Sequence, residues 1–172
     1  MSENNPAANA PVASGPTKRA TFYGSHDRDI TANKQVAIPK PFKRILDAAH
    51  EEELLLAHFH WQNEPYLRLY TKTQLDAKID EVKNDPAYSE EQRAEKMGAI
   101  AEAAEPIEPD SQGRFVLPAR WFDLLKFKDA VVFTGRFSYI RVWPAQAYEE
   151  NKKAGQEQPE QPDRRLTNKL SM

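Results

Sequence analysis

The sequence contains no cysteine among its 172 residues, and this absence excludes several kinds of chemistry. A disulfide framework, a thiolate nucleophile, a zinc site with cysteine ligands and an iron–sulfur cluster all require a residue type that the chain lacks. No apolar run approaches the length of about 20 residues that crosses a bilayer. The chain also starts without a basic segment followed by an apolar one. We therefore expect neither a membrane span nor a signal peptide.

The chain also lacks a large excess of charge of either sign, because its 24 basic and 26 acidic residues give a net charge of only -2. A near-neutral total argues against a nucleic-acid-binding protein when it is considered alone. The distribution is uneven, however: residues 18–46 carry a net +5, and residues 74–110 carry a net -7. The total therefore excludes only a uniformly basic protein, and a protein with one basic face stays possible.

Aromatic residues are missing from both ends of the chain, since all 17 of them lie between Phe22 and Tyr148. Residues 1–20 and 151–172 are rich in polar residues and proline and offer little apolar surface to bury. Such segments cannot offset the entropy lost on ordering. We predict disordered tails at 1–20 and 151–172, and one or two small folded units between them.

The middle of the sequence contains a repeat. Val36-Ala37-Ile38-Pro39 is echoed by Phe115-Val116-Leu117-Pro118. After each motif come a short helical pattern (41–50 and 119–126), an apolar run (54–57 and 130–133) and a second strand pattern (67–70 and 140–143). The order strand, short helix, strand, strand is therefore predicted in both halves.

The two halves, residues 21–73 and 107–150, are joined by a charged, alanine-rich connector over residues 74–106. The connector is predicted to be helical and broken in two at Asp85-Pro86. Strand pairs this short are marginal alone, so the halves are expected to pack together or interleave around one small core. The predicted fold class is α+β, mainly β with short helices.

The run Asp110-Ser111-Gln112-Gly113-Arg114-Phe115-Val116-Leu117-Pro118 resembles the Asp-x-x-Gly-Arg-x-x-x-Pro signature of MraZ proteins. The resemblance continues through 131–135 and 140–143 to Tyr148, and Phe22-Tyr23-Gly24 is similar to the family's opening Phe-x-Gly. A five-residue motif alone is weak evidence. Its position within a duplicated unit makes the resemblance specific.

This resemblance implies two tandem AbrB-like swapped-hairpin units that form a small β-barrel-like core. It also implies a cytoplasmic, nucleoid-associated transcriptional regulator that assembles as a ring-shaped homo-oligomer. Its partner would be double-stranded DNA at the promoter of the division and cell-wall gene cluster, recognised through short G-rich direct repeats. No cofactor, small-molecule substrate or membrane partner is expected.

The first repeat departs from the family signature. Its corresponding residues, Thr31-Ala32-Asn33-Lys34-Gln35, lack the aspartate, the glycine and the arginine. A glycine permits positive φ, whereas Lys34 is strained there, so Asn33 is expected to carry the turn one position earlier. Gln35 can hydrogen-bond an adenine edge but lacks the charge and the guanine fit of arginine.

The candidate DNA contacts fall into two groups. Lys34, Lys40, Lys43 and Arg44 are candidate phosphate ligands, although a basic stretch can also be an ordinary solvated surface. Gln35 and Arg114 are candidate base contacts. The signature turn also has a purely structural interpretation, in which Asp110 caps it, Gly113 supplies positive φ and Arg114 pairs with Asp110.

The residues that could in principle bind a metal or stack on bases are interpreted as structural. His58 and His60 alternate and would share one strand face, but no further metal ligand converges on them in the sequence. Aromatic residues at helical and strand spacing are interpreted as core or subunit contacts rather than base-stacking platforms: Trp121, Phe122, Trp143 and Tyr148. No catalytic residue is predicted, because nucleophile and phosphate-binding motifs are absent. The alternative to a DNA-binding regulator is an oligomeric interaction protein of the same fold that has lost specific DNA binding.

Overall fold

The computed structural model describes residues 19–157 and shows a mixed α+β fold, which confirms the predicted class. The strands are β1 (Ser25–Asp29), β2 (Gln35–Ala37), β3 (Leu54–Ala57), β4 (Leu67–Thr71), β5 (Ala104–Ile107), β6 (Arg114–Val116), β7 (Ala130–Gly135) and β8 (Ile140–Pro144). The helices are α1 (Lys40–Ala48), α2 (Lys72–Lys83), α3 (Glu90–Glu102), α4 (Ala119–Leu124) and α5 (Ala145–Glu157). Most of the two predicted tails lies outside the described residues. Ala20 is nevertheless buried, and α5 runs seven residues past residue 150.

The strands and helices predicted in both halves are present within a few residues, and the connector is divided into α2 and α3 around Asp85-Pro86. Capping boxes at Thr71 and Ser89 start these two helices. Strands β1 and β5 were not predicted. The alternating residues of β1 are mostly polar, and β5 contains Pro106, which is tolerated because β5 is an edge strand.

The strands of the two halves are exchanged. Six antiparallel strands form one sheet in the order β1-β7-β8-β4-β3-β5, while β2 and β6 form a separate two-stranded ribbon. Strand β1 of the first half pairs with β7 of the second, and β5, which spans the end of the predicted connector and the first residue of the second half, pairs with β3 of the first half. The sheet therefore has two edge strands, where a barrel-like core was predicted, and neither half is complete without the other.

The main core lies between the ribbon and one face of the sheet. Val36 and Phe115 point inward from the ribbon, and Phe42 of α1 and Trp121 of α4 belong to the same cluster of buried residues. The sheet contributes residues such as Leu67, together with the other apolar side chains on its inner face. This packing fixes the positions of both turns that lead into the ribbon.

The other face of the sheet is covered by α2 and α3 on one side and by α5 on the other. Arg68 of β4 lies directly opposite Arg141 of β8 in the centre of this face. Each guanidinium packs over an aromatic ring from the other half: Arg68 is 4.8 Å from the ring centroid of Tyr139, and Arg141 is 4.3 Å from that of Tyr66. Among the described residues no helix is both long and apolar enough to cross a membrane.

Candidate nucleic-acid interface

The second signature turn, Asp110–Arg114, is held by its own aspartate. Asp110 Oδ1 accepts hydrogen bonds from the backbone N–H groups of Gln112 and Arg114, each at 2.9 Å. Arg114 Nε donates to Asp110 Oδ2 at 2.8 Å, and Gly113 has a φ of 78°. The backbone hydrogen bond from Arg114, followed by the Arg114 side chain, lowers the pKa of Asp110 below its usual value. The turn is therefore expected to keep these bonds at neutral pH and to lose them as the pH falls through the lowered pKa.

The first turn, Thr31–Gln35, has the same backbone shape without the signature residues. The backbone N–H of Lys34 donates to Thr31 O at 2.9 Å, as that of Gly113 does to Asp110 O. Thr31 Oγ1 replaces the aspartate oxygen and accepts from the Gln35 N–H at 3.1 Å. The positive-φ residue is Lys34 itself, at 60°. The prediction that Asn33 carries the turn is therefore wrong.

Lys34 can occupy the left-handed region because its surroundings hold it there. Its carbonyl accepts from Leu117 N–H at 2.9 Å, just as the Gly113 carbonyl accepts from Ile38 N–H at 2.9 Å. Its Nζ lies 4.7 Å from the ring centroid of Phe122 in α4. The backbone hydrogen bond from Leu117 and the cation–π contact with Phe122 together offset the unfavourable backbone conformation of Lys34.

The two turns are expected to respond differently to alanine at their corresponding positions. Gly113→Ala is expected to destabilise the protein by about 1–2 kcal/mol, because a Cβ at positive φ is strained. At position 34 the wild-type lysine already has a Cβ, so Lys34→Ala should remove only the contact with the Phe122 ring and lower the free energy of unfolding by about 0.5–1 kcal/mol. Urea denaturation of both variants measures the difference. A smaller loss for Gly113→Ala than for Lys34→Ala would contradict this account.

The candidate DNA contacts are divided between the two ends of the ribbon. Because β2 and β6 are antiparallel, Gln35 faces Val116 at one end and Ala37 faces Arg114 at the other. Lys34 adjoins Gln35 and packs on α4 of the second half. The two turns therefore do not form one cluster on the first repeat.

Helix α1 of the first half lies beside the signature turn of the second half. A Cβ added to Gly113 would lie 3.2 Å from Lys43 Cδ, and a groove of about 360 Å³ between the two elements is lined by both residues. Lys43 Nζ pairs with Asp47 at 2.9 Å, while Lys40 and Arg44 are exposed on the same helix. The basic helix and Arg114 therefore share one end of the ribbon.

The outward face of the ribbon also holds two residues that were not predicted as site residues, Ala37 and Val116. Val36 and Phe115 are buried, so strand alternation places Gln35, Ala37, Arg114 and Val116 on the opposite side. Val116 is 56 % exposed. The alternation of Phe115-Val116-Leu117 was the signal that could have identified it.

The histidine prediction was wrong about secondary structure. Strand β3 ends at Ala57, so His58 and His60 do not share a strand face. His58 is buried, with Nε2 2.8 Å from Glu64 O, while His60 is exposed in a 3-10 turn, His60–Gln62. Within residues 19–157 no three histidine or carboxylate side chains converge on a possible metal position.

The four aromatic candidates are packed inside the protein to different degrees. Trp121 and Trp143 are buried, and Phe122 and Tyr148 are half-buried against apolar clusters. Phe122 lies under Lys34 Nζ, and Trp143 makes an edge contact with Tyr148 at 5.8 Å between ring centroids. These positions agree with the interpretation as core residues.

Comparison with known proteins adds independent evidence. Residues 100–169 match the family model described as "MraZ protein, putative antitoxin-like". A protein of Cereibacter sphaeroides named transcriptional regulator MraZ is 25% identical over 138 residues, which are 74% of this chain and 82% of that relative. Over most of its length the chain is similar to regulators of the MraZ family. Regulators of the same name from Bacteroides thetaiotaomicron (24% over 129 residues, 75% and 81% covered) and Phocaeicola vulgatus (26% over 122 residues, 71% and 78% covered) are also similar.

The MraZ family model matches the half of the chain that retains the signature. Its match begins in α3 and includes Asp110, Gly113 and Arg114. The first turn, where threonine, lysine and glutamine replace the signature aspartate, glycine and arginine, lies before the matched residues. The relatives align over about three quarters of the chain, which is longer than the second half alone.

Proposed function

We propose that this protein is a sequence-specific, double-stranded-DNA-binding transcriptional regulator, as the names of its MraZ relatives suggest. The observation that carries the proposal is the ribbon formed by β2 and β6, with one signature-type turn leading into each strand. A solvent-facing two-stranded ribbon has the right dimensions for the major groove. Arg114, Gln35 and the basic residues around the turns supply base-edge and phosphate donors.

The finer assignments follow the same proposal. The reciprocal pairing of β1 with β7 and of β5 with β3 supports two interleaved swapped-hairpin units of the AbrB type. We propose that the protein acts in the cytoplasm and on the nucleoid, at the promoter of the division and cell-wall gene cluster through short direct repeats. A ring-shaped homo-oligomer would present the same ribbon in each subunit, so that weak contacts add through effective concentration.

In this proposal some residues contact phosphates and position the protein, while others contact base edges and determine the sequence preference. Lys40 and Arg44 are exposed and can meet phosphates next to the turn that holds Arg114. Lys43 is paired with Asp47, so its contact with phosphate requires exchange of one partner for another. Lys34 is held over Phe122 at the other end of the ribbon. In the proposal it contacts a phosphate at that end.

A second function has one specific observation in its favour. The first turn has lost the signature aspartate, glycine and arginine, yet it keeps the backbone shape and the ribbon. This is the pattern expected if the fold is used as an oligomeric interaction module after loss of specific DNA binding. The two functions differ in whether the protein prefers any DNA sequence.

A mobility-shift titration tests the proposal. We expect the protein to prefer duplex DNA from upstream of its own gene over random DNA, with both affinities falling as salt rises. The triple variant Lys40→Ala, Lys43→Ala, Arg44→Ala should weaken binding to all duplexes. It should also reduce the slope of log K against log salt by about one for each phosphate that is no longer neutralised.

The matched control removes three charges from another surface. Lys72→Ala, Lys78→Ala and Lys83→Ala together lower the charge by the same amount on α2. This control should bind DNA like the wild type if α1 is the anchoring element. Equal losses in the two triple variants would contradict a local interface, and equal affinity of the wild type for both DNAs would favour the interaction-module alternative.

A further inference from the structure

Val116 is one of five large apolar side chains that are exposed within residues 19–157, and it is the one that lies in a strand of the ribbon. It is a large apolar side chain, 56 % exposed, in a strand whose neighbours Phe115 and Leu117 are almost completely buried. A solvent-facing strand position is normally polar, and exposed apolar side chains on a binding face are candidates for contact with a ligand. The outward face of the ribbon is the face that the proposed function presents to DNA.

The strand register places Val116 directly opposite Gln35. Side chains of directly opposite residues in an antiparallel pair start from Cβ atoms about 4.5–5.5 Å apart. A carboxamide and a branched apolar group therefore stand side by side at one end of the ribbon. In the major groove an A·T pair presents the same combination, because adenine offers N6 and N7 while thymine offers its C5-methyl group.

The other end of the ribbon carries a different combination. Arg114 faces Ala37, and Arg114 Nε is engaged by Asp110 Oδ2 at 2.8 Å. The two terminal guanidinium nitrogens have no hydrogen-bond partner within residues 19–157. A guanidinium held by its inner nitrogen presents its outer nitrogens as donors, and guanine O6 and N7 are the acceptors that such donors prefer.

The size of the ribbon permits both ends to act at once. Its strands have three residues each, which corresponds to roughly 7–10 Å of length and about 5 Å between strands. The major groove is about 12 Å wide and admits a two-stranded ribbon. The two ends of one ribbon can therefore address neighbouring base pairs.

We propose that Val116 is a specificity-determining residue that contacts a thymine methyl group, with Gln35 on the adjoining adenine and Arg114 on a guanine at the other end. This inference rests on the proposed DNA-binding function and adds to it an assignment of base preference to each end of the ribbon. The proposed contact of Val116 depends on the thymine C5-methyl group, and this group can be removed from the DNA without altering the hydrogen bonds of the base pair.

The experiment uses the full chain and a pool of random duplexes, from which bound sequences are selected. Each thymine of the selected site is then replaced by deoxyuracil, which lacks the methyl group. One replacement should weaken wild-type binding about fourfold, as expected for loss of one buried methyl-sized group. Val116→Ala should bind the thymine duplex about as weakly and lose little or nothing further at deoxyuracil.

Two further variants complete the design. Val116→Thr keeps the branched shape and strand propensity but replaces one methyl with hydroxyl, so it should show an intermediate response. Leu124→Ala removes an apolar group of similar exposure from α4 and should keep the full deoxyuracil sensitivity. Circular dichroism of each variant checks that the fold is retained.

The outcomes separate the inference from the function on which it rests. A deoxyuracil penalty of the same size in wild type and Val116→Ala, or no penalty at any thymine, overturns the role of Val116 while leaving sequence-specific binding in place. A wild-type protein that enriches no sequence from the pool overturns both. A penalty confined to one thymine of each repeat and removed only by substitution of Val116 establishes the contact.

Discussion

Glu64→Leu is expected to destabilise the protein by about 3–5 kcal/mol, because it leaves the Arg68 guanidinium buried without its carboxylate. The two side chains are 4% and 12% exposed. Glu64 Oε1 accepts from Arg68 Nε at 2.9 Å and from Arg68 Nη2, and Tyr66 OH lies 3.3 Å away. Burial alone lowers the pKa of Arg68, but the hydrogen bonds to Glu64 and Tyr70 outweigh it and raise that pKa.

Chemical denaturation of three proteins checks this expectation. The double variant Glu64→Leu, Arg68→Met replaces the whole pair by apolar groups and should recover most of the lost stability. Glu105→Leu removes the carboxylate of a half-exposed pair with Arg120 and should cost less than about 1 kcal/mol. A Glu64→Leu loss as small as that of the control would mean that water already satisfies Arg68.

Much of the fold could be predicted from the sequence because its signals are local. Of the four inner strands, β3 and β7 are apolar runs and β4 and β8 are short patterns of apolar residues around one arginine, while the connector helices carry capping residues and a proline break. The edge strands lacked such signals. In β1 the alternating residues are polar or charged, and its assignment depends on a partner strand about 100 residues away in the chain.

The interface was harder to predict than the fold because it is built from both halves. Charge counting along the chain placed Lys34, Lys40 and Lys43 in one basic stretch of the first repeat. Pairing of β2 with β6 separates them, since it brings Lys43 to Gly113 and Lys34 to Phe122. The exchange of strands is a long-range property, so neither periodicity nor local composition could reveal this arrangement.

Gly135→Ala is expected to destabilise the protein by about 3 kcal/mol, through a backbone clash that side-chain rotation cannot relieve. A Cβ at this position would lie 2.5 Å from the Phe22 carbonyl oxygen and 2.5 Å from the Tyr23 nitrogen. The Gly135 N–H also donates to Gly24 O at 2.8 Å, and Phe22 and Phe137 exchange backbone hydrogen bonds. The segment before β1 must therefore move away from β7, which draws the buried Phe22 ring from the core.

Gly98→Ala is the matched control, because a Cβ there meets no atom within 4 Å and the residue lies inside α3. It should stabilise the protein by up to about 1 kcal/mol, since alanine is the better helix former. The two variants should thus move the free energy of unfolding in opposite directions.

Strand β1 leads through Ile30 into the first turn, so the segment displaced in Gly135→Ala also loosens the Lys34 end of the ribbon. A Gly135→Ala protein as stable as the wild type would show that the junction of β1 with β7 does not hold the two halves together.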